Sequence, residues 1–152
     1  MEITATQVKK LRDETGAPVM DARRALLEAE GNLDKAKEIL KKKGAEIVAK
    51  KAARETGQGL IETYVHAGGK VGSMVHLACE TDFVAKTEEF KVLAKEIAMQ
   101  VAAMSPENTE ELLDQEYIRD SGKKIKELVE ETIAKTGENI QVKKVARFAL
   151  GE

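Results

Sequence analysis

Cys79-Glu80-Thr81-Asp82-Phe83-Val84 is the stretch where the chain turns from strand to helix, and the fold depends on how it is read. Upstream, Lys70 to Ala78 reads as a strand. Downstream, Thr87 to Met104 reads as a long amphipathic helix, because Phe90, Leu93, Ala94, Ile97, Ala98 and Val101 follow the i, i+3, i+4, i+7 pattern. Thr87 suits the N-cap of that helix, and Glu88 and Glu89 suit its first turn, where acids complement the helix dipole. Two readings of Phe83 stand side by side. It lies seven residues before Phe90, so a helix begun at Thr81 would carry it onto the core stripe. A helix begun at Thr87 leaves it at an exposed corner, offered to a partner. Asp82 reads either as part of that corner or as a first-turn charge.

Before the strand, Leu60 to Ala67 alternates, and Gly68-Gly69 is a tight-turn dipeptide. A two-residue turn pairs Ala67 with Lys70. Leu60 and Tyr64 then share a face with Val71, Val75 and Leu77, while Ile61 and Val65 share the other with Met74 and His76. Both faces carry apolar groups, so one is expected to meet the domain's own helices and the other to meet something else. After the long helix, Ser105-Pro106 is a stop, residues 107–117 hold a short acidic helix, and Ser121-Gly122 is a break. Lys123 to Lys135 reads as a helix carrying Ile125, Leu128, Val129 and Ile133, ended by Gly137. Ile140 to Leu150 is the last strand, with Ile140, Val142, Ala146, Phe148 and Leu150 on one side. It is expected to join the hairpin, since two strands alone are barely stable.

Toward the N-terminus, Thr4 with Gln7 forms a capping box, and Ile3 with Val8 fits a hydrophobic staple. This helix stops at Gly16. Pro18 opens a second helix, with Val19, Ala22, Leu26 and Ala29 inward. Asn32 caps a third, with Leu33, Ala36, Ile39 and Leu40 inward, Lys41 to Lys43 at its end and Gly44 closing it. Ala45 to Thr56 reads as a linker helix. The expected fold is therefore α+β: a three-helix module over 1–44, a linker helix over 45–56, and over 57–152 a three-stranded antiparallel sheet packed with helices.

The 152 residues carry a net charge of -2, which argues against a broad phosphate footprint. The local run of Lys41 to Lys43, Lys50 and Lys51 has no aromatic interleaved, so direct nucleic-acid binding is not expected. The single cysteine, Cys79, allows no internal disulfide and fits a reducing compartment. It has no basic neighbour in sequence and reads as a small buried hydrophobe. No apolar run approaches the roughly 20 residues of a membrane span, and no signal-peptide pattern opens the chain, so a cytoplasmic location is expected. His66 and His76 lack partners at metal-ligand spacing. Gly68-Gly69-Lys70 is a hairpin turn and not a phosphate loop. The residues thus point to a protein-binding molecule with no cofactor, and not to an enzyme.

Cys79 to Val84, taken with Ala85-Lys86 and Glu89-Phe90, resembles the bacterial elongation factor Ts family, guanine-nucleotide exchange factors for elongation factor Tu. The mark of that family is a Thr-Asp-Phe-Val segment after a strand, here Thr81-Asp82-Phe83-Val84. Leu11-Arg12, Thr15-Gly16-Ala17, Met20-Asp21 and Ala25-Leu26 resemble its ubiquitin-associated-like N-terminal module. Gly137-Glu138-Asn139-Ile140, with Lys143-Lys144 and Arg147, resembles its final helix-to-strand segment. Pro18-Val19 stands where the family more often has Gly-Met. The region between Met104 and Lys123 is short, and longer members carry extra helical material there. The resemblance implies binding to elongation factor Tu, GDP-bound and nucleotide-free, through two places. Val19, Met20 and Arg23 would dock on its nucleotide-binding domain. Thr81, Asp82, Phe83 and Val84 would supply the second contact, with Asp82 and Phe83 inserting between helices of that domain. It implies no GDP or Mg²⁺ bound by this chain. A single copy with a two-sided apolar sheet points to a homodimer, with residues 57–152 as the dimerisation domain. The alternatives are a non-catalytic adaptor acting through the three-helix module without effect on nucleotide exchange, and an RNA-associated translation factor using the lysine run.

Overall fold

In the computed structural model, which describes residues 2–152, the chain divides between Lys50 and Lys51 into two units. The first is helical. Helix α1 (Ala5–Thr15) begins with the capping box its sequence encodes: the Gln7 N–H donates to the Thr4 hydroxyl at 3.2 Å, and the Thr4 N–H to the Gln7 side chain at 2.9 Å. Gly16 ends it in the left-handed conformation, φ 70°. Helix α2 (Val19–Glu28) and helix α3 (Leu33–Lys51) follow. Leu11, Ala22, Ala25, Leu26, Ala29 and Ala36 form the buried core, with Ile3, Val8, Leu33, Ile39 and Leu40 packed around it. Asn32 caps α3 by accepting the Lys35 N–H at 3.0 Å.

Two expectations fail in this unit. Val19 does not point inward; it is 47% exposed, and Ala25 takes that place on the stripe. Gly44 does not close a helix, nor is there a separate linker helix over 45–56. Helix α3 runs through Gly44 to Lys51, and Gly44 stays out of the left-handed region. A glycine inside a helix costs about 1 kcal/mol relative to alanine. That is too little to break a run with lysine, alanine and glutamate on both sides.

The second unit is built on strand β2 (Val71–Cys79), flanked by β1 (Gln58–Val65) and β5 (Ile140–Ala149), all antiparallel. The hairpin register is the one the turn dictates: Leu60 opposes Leu77, Ile61 opposes His76 and Tyr64 opposes Ser73. The inner face, with buried Val75 and Leu77, lies against helix α5 (Glu88–Met104). Phe90, Ile97 and Val101 of α5 are fully buried, and the Ser73 hydroxyl donates to the Ala98 carbonyl at 2.5 Å.

Strand β5 departs from its expected face. Leu77 pairs with Val142 but His76 pairs with Lys144, so Lys143 is an extra residue in a bulge. A one-residue bulge reverses the alternation beyond it. Ile140 and Val142 therefore share the inner face with Val145 and Arg147, while Ala146 and Phe148 turn outward beside Met74 and Gly72. The outer face carries Ile61, Val65, Met74 and Phe148, all exposed.

Helix α6 (Thr109–Asp114) lies where a short acidic helix was expected. The break expected at Ser121-Gly122 is instead a small hairpin, β3 (Glu116–Tyr117) with β4 (Asp120–Lys124). Helix α7 (Ile125–Thr136) therefore starts after Lys123 and Lys124. Gln100, fully buried on α5, holds the hairpin: its amide donates to the Glu116 carbonyl and its oxygen accepts the Ile118 N–H, both at 3.0 Å. Among the described residues, no helix is long and apolar enough to cross a membrane.

Candidate functional site

The corner after β2 is made by two N-caps six residues apart. The Thr81 hydroxyl accepts the Val84 N–H at 3.3 Å and starts the single turn α4 (Asp82–Ala85). The Thr87 hydroxyl accepts the Phe90 N–H at 3.3 Å, starts α5, and donates back to the Val84 carbonyl at 2.7 Å. A helix begun at Thr81 and continued through Phe90 does not form. Phe83 therefore leaves the core stripe and is 81% exposed. Asp82 is also exposed, 2.8 Å from Lys86, and its carboxylate raises the Lys86 ammonium above its ordinary value. This pair is solvated and weakened by salt.

Val84, named beside Phe83 from the sequence, is turned inward and 5% exposed, and Ala85 is buried with it. Their side chains anchor the turn to the unit's core, so Val84 serves as a support and not as a presented surface. Burying a valine contributes about 1.5–3 kcal/mol, enough to pin a four-residue turn that could not hold itself.

Beneath the corner lies a polar network. The Glu138 carboxylate accepts the N–H groups of Glu80 (3.1 Å) and Thr81 (2.9 Å), and the Thr81 hydroxyl at 2.6 Å. The Glu80 carboxylate accepts the Asn139 N–H at 2.7 Å and pairs with Arg54. The Asn139 amide donates to the Arg54 carbonyl at 2.9 Å. In the sequence Gly137 to Ile140 stands out only as a resemblance, because the bonds made by the Glu138 carboxylate and Asn139 join residues 57 or more positions apart.

Cys79 is fully buried beside the corner, and its thiol donates to the Thr81 carbonyl at 3.1 Å. Burial, and then the Glu138 charge, push the thiol up to about 11. At neutral pH it stays protonated and unreactive, and a thiol reagent is expected to label it only in denaturant. A folded value above the unfolded one gives stability that is present below pH 9 and lost as pH rises toward 11, roughly 2–3 kcal/mol over that window. Urea midpoints at pH 8 and pH 10.5 check this, and Cys79→Ala is expected to flatten the difference. An unchanged slope in that variant would show that other groups carry it.

In the first unit, Val19, Met20 and Arg23 share an exposed region of α2, with Met20 at 53%. Leu27, half-exposed, extends it and was missed in sequence. The signal was the Leu26-Leu27 pair: only one of two adjacent helical leucines can face inward, and Leu27 lies four residues after Arg23 and seven after Met20. Among the described residues, no group of three or more His, Cys, Asp or Glu side chains is placed to hold a metal ion.

Residues 80–152 match the family model described as elongation factor TS. Curated relatives agree over the whole chain. Elongation factor Ts of Caldanaerobacter subterraneus is 42% identical, covering 99% of this chain and 98% of the relative. That of Thermotoga neapolitana is 41% identical, covering 100% and 99%. That of Rippkaea orientalis is 41% identical, covering 99% and 79%. The first two alignments run over 195 positions against 152 residues here, so those relatives carry residues this chain lacks.

Proposed function

Because the chain belongs to the elongation factor Ts family, a family of translation elongation factors, we propose that it is a guanine-nucleotide exchange factor that binds elongation factor Tu carrying GDP and promotes GDP release. The observation that carries this is Phe83: a large apolar ring held 81% exposed on a capped turn whose next two residues, Val84 and Ala85, are buried. A monomer gains nothing from presenting such a ring to water, whereas an aromatic anchor is what an interface uses.

The mechanism needs no bond broken by this chain, which acts as a binding partner without a cofactor and not as an enzyme. Exchange requires that it bind the nucleotide-free partner more tightly than the GDP-bound one, and by linkage nucleotide and factor then weaken each other's binding. Inserting Phe83 between helices of the partner shifts the elements that hold Mg²⁺ and the phosphates. Each tenfold in release rate asks for about 1.4 kcal/mol of barrier. Asp82 borders the wedge and Thr81 fixes its start. Val19, Met20 and Arg23 of α2 give a second contact on the nucleotide-binding domain, apolar groups beside a cation. The proposed setting is the cytoplasm, with no direct nucleic-acid contact.

The test is the release of a fluorescent GDP analogue from elongation factor Tu, with and without the full chain. Faster release supports the reading. No acceleration leaves an adaptor acting through the first unit. The outer face of the sheet, with Ile61, Val65, Met74 and Phe148 exposed, is the surface proposed for a homodimer. Sedimentation across a hundredfold range of concentration is expected to show a dimer that Phe148→Lys weakens at least about tenfold, since a charge would enter an apolar contact. A monomer throughout would reject that assignment.

A further inference from the structure

We propose that Glu138 is a positioning residue that aims the corner carrying Phe83, an inference that rests on the reading of Phe83 as a partner-facing wedge. Its carboxylate devotes both oxygens to Glu80 and Thr81, the two residues before the turn that carries the wedge. Oε1 accepts the backbone N–H groups of Glu80 and Thr81, at 3.1 and 2.9 Å, and Oε2 accepts the Thr81 hydroxyl at 2.6 Å. That last bond has a directional consequence. A threonine hydroxyl has one proton and two lone pairs. With the proton committed to Glu138, a lone pair is left facing the Val84 N–H, and that bond, at 3.3 Å, opens the turn. Glu138 thus sets the cap indirectly, through Thr81.

The geometry gives this clamp few substitutes. The turn is four residues long, and one turn of helix does not nucleate itself. Phe83 is too exposed to be fixed by packing on its own unit. Its direction therefore comes from the inward anchors Val84 and Ala85 on one side and the Thr81 cap on the other. The residues flanking Glu138 serve the same base. Gly137 closes α7 at φ 73°, and the Asn139 N–H binds Glu80 at 2.7 Å. The segment from Gly137 to Asn139 therefore has a task beyond joining helix to strand: it holds the corner from behind.

A purely structural Glu138, tying the start of β5 to the end of β2, predicts something different, and coupling separates the two. The full chain is assayed for GDP release with Glu138→Ala, Glu138→Gln, Phe83→Ala and the Glu138→Ala/Phe83→Ala double variant, at factor concentrations high enough to resolve residual acceleration. Glu138→Ala is expected to lower the acceleration about tenfold in the wild-type background, and far less when Phe83 is already absent. Glu138→Gln keeps one oxygen for the two N–H groups, but its NH2 cannot accept the Thr81 hydroxyl, so it is expected to recover only part of the rate. An equal factor of loss in both backgrounds, or no loss with Glu138→Ala, overturns the proposal. Should the unmodified chain accelerate nothing, the exchange reading fails by itself. Amide hydrogen exchange of the free protein then judges the clamp: faster exchange at Glu80, Thr81 and Val84 in Glu138→Ala upholds it, and unchanged exchange rejects it.

Discussion

Phe83→Ala is expected to lower the acceleration of GDP release about 100-fold while leaving the chain as stable as before. Truncating a central aromatic anchor costs an interface on the order of 3 kcal/mol, which corresponds to about two decades in affinity. The same truncation barely touches the free protein, because a ring 81% exposed has little packing to lose, and exposed substitutions usually stay within about 0.5 kcal/mol. Function and stability therefore part at this position. Stopped-flow release of labelled GDP and a thermal melt measure the two separately. Full acceleration by Phe83→Ala would remove the wedge from the mechanism while leaving exchange in place. A lowered melting midpoint would mean that the ring packs on its own unit after all.

Gly59→Ala is expected to do the reverse and cost the second unit about 3 kcal/mol or more. A Cβ at residue 59 would stand 2.0 Å from the Leu77 carbonyl oxygen and 2.8 Å from the Ala78 Cα, at φ +146°. Both obstacles are backbone of the central strand, which cannot move aside without breaking the β1–β2 ladder. The strained φ adds its own penalty. Gly57 is a control within the same segment: nothing lies within 4 Å of its Cβ position and its φ is not positive, so Gly57→Ala is expected to be neutral or slightly stabilising. Urea midpoints of the two variants decide it. A Gly59→Ala protein as stable as its parent would mean that β1 pairs differently in solution.

The elements legible in the sequence are those whose cause is local. Thr4 with Gln7 and Thr87 with Glu88 and Glu89 mark helix starts by contacts within one turn. Gly68-Gly69 fixes the hairpin, and with it every cross-strand pair from Leu60 to Leu77. The features that escaped have distant causes. The bulge at Lys143 is invisible to a period-two pattern, which simply continues through it on the wrong face. The β3–β4 hairpin is too short to alternate, and its one trace was a glutamine, Gln100, in an otherwise apolar stripe. Gly44 looked like a stop because glycine often is one, but a stop also needs the chain to leave the helix, and Ala45 to Lys51 favours staying. At the corner, Thr87 showed where α5 begins and so hinted that Phe83 stands outside it. The inward turn of Val84 and the grip of Glu138 needed the folded chain.

The division at Lys50 and Lys51 also determines what light can report. There is no tryptophan, and Tyr64, Tyr117, Phe83, Phe90 and Phe148 all lie beyond Lys51. Near-ultraviolet absorbance and tyrosine emission therefore come from the second unit alone. The helices of the first unit are visible only in far-ultraviolet dichroism. A single melt followed by both signals watches two different objects, and any gap between the curves reads directly as independent unfolding.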